Sequence, residues 1–111
     1  MSYAVERLNR VIETAGLDYV DVARMLEANP RTVSRWINEG SEPRWDVRER
    51  LLELTAVIER LTQVVRPSAA QDWLFTPNAE LGHDKPVELV RAGRFKDVLA
   101  VIDSLGEGVF T

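Results

Sequence analysis

The sequence predicts an all-α protein, and three observations carry that reading. Apolar residues recur at i, i+3 or i+4 and i+7 along most of its 111 residues, and no stretch alternates with the two-residue period of a half-buried strand. Residues that open helices (Asp18, Asn29-Pro30, Pro86) and glycines that close them (Gly16, Gly40, Gly93, Gly106) bracket the periodic stretches in the right order. The breakers Glu42-Pro43 and Arg66-Pro67 are well separated, leaving room between them for one long helix.

The elements follow in order. A first helix is expected from Tyr3 to Ala15, with Val5, Leu8, Val11, Ile12 and Ala15 on one face. Asp18 caps a short second helix that buries Tyr19 or Val20, then Ala23 and Leu26. The third carries Val33, Trp36 and Ile37 inward and stops at Gly40. A long helix from Trp45 to Val65 bears the stripe Val47, Leu51, Leu54, Val57, Ile58, Leu61 and Val65 and spans roughly 30 Å. Trp45 is expected to anchor its start. A short helix from Ser68 to Phe75 leads into the turn Thr76-Pro77-Asn78, and Leu81 to Lys85 form a polar loop. Another short helix runs from Pro86 to Ala92. The last, from Arg94 to Leu105, buries Phe95, Val98, Leu99 and Ile102, with Gly106 as its stop and Glu107 to Thr111 as a tail. The organisation expected is a unit over 1–43, a connecting helix over 44–66, and a second unit over 67–111.

Composition narrows the function classes. With no cysteine there is no disulfide framework, thiol nucleophile or Cys-ligated zinc. The one histidine, His83, stands in a loop beside Asp84 and Lys85 without a metal-ligating partner at helical spacing, and no orienting acid makes it a catalytic base. Glycines sit singly at element ends rather than in a phosphate-cradling loop, and carboxylates are spread over solvated faces. No catalytic residue, metal site or cofactor is expected. No apolar run approaches the ~20 residues of a membrane span, and Ser2 to Arg7 do not read as a secretory signal, so a cytoplasmic location is expected.

The net charge of −4 runs against the basic footprint of a nucleic-acid binder, yet its distribution is uneven. Residues 1–66 hold 10 Lys+Arg and 11 acids, residues 67–111 hold 4 and 7, so −3 of the −4 lies in the second part. Between Ala28 and Asn38 there are two arginines and no acid. If Val33 and Trp36 point inward, the outward residues are Arg31, Thr32, Ser34, Arg35 and Asn38, side chains that meet phosphates and base edges in a major groove. With the Trp36…Gly40…Pro43 run, Leu17 to Pro43 resembles an Xre-type helix-turn-helix, from which it departs at Glu27, a turn position where such motifs often have a small residue. The same residues also fit an amphipathic helix with a solvated polar face. Arg24 to Arg50 carry six arginines against five acids, so DNA binding would have to be dimeric and steeply salt-sensitive.

A second pattern is more specific. Trp73-Leu74, the turn Pro77-Asn78, Leu81, Pro86-x-x-Leu89, Gly93 and a valine-rich last helix with Val98 and Ile102 resemble the MbcA/ParS/Xre antitoxin family, and Glu107-Gly108-Val109-Phe110 looks like the ending of its MbcA members. The resemblance covers nearly the whole chain. It implies an Xre-like helix-turn-helix unit joined by the long helix to a small helical toxin-binding unit. It further implies an antitoxin of a type II pair that blocks the active site of a RES-domain, NAD-degrading toxin encoded beside it. Operator DNA is the second partner implied, and a dimer or hetero-oligomer with the toxin the assembly. The toxin-binding residues expected from it are Trp73, Pro77, Asn78, Glu107, Gly108, Val109 and Phe110; Arg91 and Arg94, which flank Gly93, read either as surface cations or as the rim of that interface. The chemistry of the chain's end suits toxin binding. Asp97, Asp103 and Glu107 follow with no base after Lys96, matching the electropositive pocket that a dinucleotide pyrophosphate requires. Gly106 and Gly108 would let the tail bend into a cleft. A stand-alone DNA-binding regulator is the alternative, and for the tail, a frayed terminus.

Overall fold

The structure, a computed structural model, describes residues 2–108; among them there are seven α-helices, two 3-10 turns and no strand. Helix α1 (Tyr3–Ala15) begins where the Ser2 hydroxyl accepts the Val5 amide at 3.2 Å and ends at Gly16, whose φ of 66° is the left-handed terminating conformation. Helix α2 (Tyr19–Leu26) opens on a reciprocal capping box: Asp18 accepts from the Asp21 amide at 2.9 Å, and Asp21 accepts from the Asp18 amide at 3.0 Å. Helix α3 (Pro30–Asn38) starts with Asn29 accepting the Arg31 amide at 2.9 Å and with Pro30 in the first turn, where its missing N–H costs nothing.

Helix α4 (Trp45–Leu61) is about 25 Å long. A turn leads to a 3-10 segment at Pro67–Ala69 and then to α5 (Ala70–Leu74). A second 3-10 turn at Ala79–Leu81 precedes α6 (Pro86–Arg91) and α7 (Phe95–Gly108). Helices α1 and α7 pack on α4, α2 packs on α3, and α6 packs on both α4 and α7.

Two apolar clusters fill the interior, and α4 feeds both. Ala4, Val5, Leu8, Val22, Ala23, Val33 and Trp36 gather round Leu51. Val11, Ala15, Leu17 and Met25 join Leu54, Val57, Ile58 and Leu61, together with Leu74, Val87, Leu89, Val90, Val98 and Ile102. Burying a leucine or isoleucine contributes roughly 2 kcal/mol, so Leu51, Leu54, Ile58 and Leu61 make α4 the element on which both clusters depend. The buried polar side chain Thr55 is satisfied by donating to the Leu52 carbonyl at 2.8 Å. Arg7 bridges α1 to Glu59 of α4, and that hydrogen bond holds the guanidinium further above its ordinary pKa.

Several sequence expectations need correction. Tyr19 and Val20 are 42% and 47% exposed; α2 instead turns Val22, Ala23 and Met25 inward, and its helical period sets Val22 and Met25 on the side away from Val20. Trp45 is 68% exposed and anchors nothing. Helix α4 ends at Leu61, four residues before Val65, although Val64 and Val65 still pack on the core from the following turn. Gly106 does not stop α7, which continues through it to Gly108. The buried residues of α7 are Val98, Val101 and Ile102, with Phe95 and Leu99 half-buried against them.

Candidate partner-binding surfaces

The outward face of α3 carries the residues expected for DNA. Val33 and Trp36 are buried at 0% and 3% exposure, which turns Arg31, Thr32, Arg35 and Asn38 to solvent and leaves Ser34 half-buried. The Asn38 side-chain amide donates to the Ser34 hydroxyl at 3.0 Å, tying two of these side chains together along one face. Among the described residues, neither the Arg31 nor the Arg35 guanidinium has an acidic partner. The turn leading into α3 is held by Glu27, at φ 54° in the left-handed region, with its amide bonded back to the Arg24 carbonyl at 3.3 Å.

In the second half three of the expected residues, Asn78, Arg91 and Arg94, already have polar partners within the chain. Asn78 organises the loop to Asp84: its side chain accepts the Glu80 amide at 2.9 Å, its carbonyl accepts from Leu81 and His83, and its own amide donates to Asp84. His83 sits in that loop at φ 68°. Pro77 is exposed beside it, and Trp73 is half-buried against the core. Loop and α7 together border an open groove of about 490 Å³ lined by Glu80, Leu81, Gly82, Asp84, Arg94, Asp97, Ala100 and Val101. Arg94 pairs with Asp97 at 2.9 Å, leaving the groove net acidic.

Arg91 is turned toward the first half of the chain. Its Nε donates to the Met25 carbonyl at 2.9 Å, Nη2 to the Arg24 carbonyl at 2.6 Å, and Nη1 lies 3.0 Å from Glu27 Oε1. One guanidinium thus caps two carbonyls in the last turn of α2, a helix end where carbonyls run short of internal partners; the Arg24 carbonyl also accepts the Glu27 amide. Phe75 completes the joint: Arg24 lies over its ring at 4.3 Å and Arg91 at 6.0 Å. Gln71 adds a 2.8 Å hydrogen bond to Asp21.

At the far end, Glu107 is exposed and Gly108 is the last described position of α7; Val109 and Phe110 lie outside the described residues. Among the described residues no group of His, Asp and Glu side chains converges as a metal site, and no helix is long and apolar enough to cross a membrane.

Residues 54–108 match the family described as the antitoxin Xre/MbcA/ParS C-terminal toxin-binding domain; the match starts inside α4 and runs through α7. The mycobacterial cidal antitoxin MbcA of Mycobacterium tuberculosis strain H37Rv is 42% identical over 99 residues, 89% of this chain and 88% of the relative. The chain belongs to the Xre/MbcA/ParS antitoxin family. A probable mycobacterial cidal antitoxin of the same strain is a more distant relative, 29% identical over 96 residues, 86% of this chain and 81% of its own. In three dimensions the chain is similar, at a TM-score of 0.84 and 38% identity, to a chain in the crystal structure of the M. tuberculosis MbcT–MbcA toxin–antitoxin complex, with all of both chains covered.

Within this family member, the sequence pattern does not reveal the Arg24–Phe75–Arg91 joint. Arg91 and the carbonyls it caps are 66 and 67 residues apart in the chain, so no helical periodicity connects them. The one local signal is Glu27 at a turn where a small residue is usual, which marks the carboxylate that Arg91 meets.

Proposed function

We propose that this chain neutralises a RES-domain, NAD-degrading toxin encoded beside it, binding through its second half and occluding the active site. The observation that carries the reading is the full-length likeness to a chain of a toxin–antitoxin complex, together with 42% identity to a named antitoxin. The net acidic groove beside the Pro77-Asn78 loop and the exposed Glu107 favour a basic partner surface. In this reading residues 67–111 hold the toxin, with Trp73, Pro77, Asn78, Arg94 and the Glu107-to-Phe110 ending as contacts, and 44–66 carry them on the N-terminal unit.

The same reading gives residues 1–43 an Xre-like helix-turn-helix that represses the chain's own operon as a dimer or within the toxin complex. On the exposed face of α3, Arg31 and Arg35 have no acidic partner among the described residues, which supports that second activity. Co-expression with the adjacent reading frame tests the proposal: cells should keep growing and keep their NAD, and the two proteins should co-purify. Loss of growth and NAD despite both being made would refute it. A chain that shifts its promoter DNA but captures no toxin would instead be a stand-alone regulator.

A further inference from the structure

Helix α7 runs on through Gly106 to Gly108, so neither glycine marks a bend within the described helix. Glycine is the poorest helix former after proline, and its presence inside a helix needs another reason. At Gly106 the reason is proximity: a Cβ there would lie 3.1 Å from Val64 Cγ1, in the turn that follows α4. Around the same junction Arg60 of α4 donates to Asp103 at 2.6 Å. An apolar stop and a polar tether thus seat the last turns of α7 on the end of α4, lining one groove with Gln63 and Glu107. Successive residues turn by about 100° round a helix, so seating Gly106 on Val64 directs its neighbours Leu105, 39% exposed, and Glu107, exposed, to either side.

We infer that Gly106 is a positioning residue for toxin binding: by letting α7 lie against Val64 it fixes the presentation of Leu105 and Glu107. This rests on the antitoxin reading above. The glycine therefore acts by close approach rather than by flexibility, and the two ideas differ in what they require. A hinge glycine would be harmed by any helix-favouring replacement, whatever stands at residue 64. A seating glycine is harmed only while Val64 occupies the space.

The test uses the full chain and the toxin encoded beside it, reading toxin NAD turnover against antitoxin concentration, with the thermal midpoint of each variant measured alongside. Gly106→Leu should weaken inhibition roughly tenfold, a factor that equals about 1.4 kcal/mol of binding. Gly106→Ala should weaken it less, and Val64→Ala added to Gly106→Ala should bring inhibition back to the Val64→Ala level. The alanine pair keeps the test valid if the leucine variant does not fold. Equal inhibition by the unmodified chain and Gly106→Leu, or no rescue by Val64→Ala, overturns the assignment while the antitoxin reading stands. An unmodified chain that leaves the toxin fully active removes both.

Discussion

On α3, Arg31, Thr32, Arg35 and Asn38 stand exposed, and among the described residues both guanidiniums lack acidic partners. In the second half, Asn78, Arg91 and Arg94 each spend their polar groups inside the chain: on the 78–84 loop, on the carbonyls ending α2, and on Asp97. Both sets are polar and both are expected from sequence to meet a partner, yet they differ in what their hydrogen bonds already do. A side chain whose donors are free on a rigid helix can meet a partner at little reorganisation cost, whereas Arg91 would first have to abandon three acceptors. Arg91 accordingly joins the two halves of the chain, and the exposed side chains left to a partner on the 77–84 loop include Pro77, Glu80 and Asp84.

Replacing Arg31 and Arg35 together by alanine tests the free surface, and the largest effect is expected there. If both touch phosphates, affinity for the chain's promoter DNA should fall at least tenfold, and the log–log salt dependence should become shallower by about 2 for each protomer bound. Folding stability should stay within about 0.5 kcal/mol, as for surface positions in general. Mobility shifts at two salt concentrations plus a urea melt check this, and unchanged affinity would remove α3 as the reading helix.

Arg91→Ala tests the committed surface. It leaves the part-buried Met25 carbonyl without its donor, whereas the exposed Arg24 carbonyl keeps the Glu27 amide, so the loss should fall toward the lower end of about 1–3 kcal/mol. The ion pair with Glu27 adds little, since Glu27 is 70% exposed. Urea denaturation should show that loss, and hydrogen exchange should show the end of α2 opening first. A variant of normal stability with weakened toxin binding would return Arg91 to the interface.

The smallest effect is expected at Glu27. Glycine adopts φ 54° without strain, and a non-glycine residue there costs roughly 1 kcal/mol. Losing the exposed pairing with Arg91 offsets part of the gain, so Glu27→Gly should stabilise by a few tenths of a kcal/mol, visible as a raised denaturation midpoint. A clear loss of stability would mean that the Glu27–Arg91 pair, and not the backbone strain, dominates that turn.

The fold is largely legible because its helix ends carry local chemistry. Asp18, Asn29-Pro30 and Gly16 mark the boundaries of α1 to α3, and the structure uses each as a cap. Legibility fails where apolar burial outlasts the helix, as at Val64 and Val65 beyond α4, since spacing alone does not distinguish a last helical turn from a turn that packs the same way. It fails at Gly106 for the opposite reason: a glycine near a helix end reads as a stop, and only the neighbour Val64 reveals a close approach. The α3 face can be read from one helix's own pattern. The engagement of Arg91 cannot, because it depends on which residues the fold brings alongside.

Whether the second half of this chain silences a toxin is decided by one titration. Purified toxin from the adjacent reading frame is mixed with increasing amounts of the full chain or of a chain lacking Ser104 onward, and NAD turnover is followed. The full chain should abolish turnover at stoichiometric amounts, and the shortened chain should leave measurable activity. Turnover that persists in excess full chain would contradict the antitoxin reading, and equal inhibition by the two chains would contradict the role given to the end of α7.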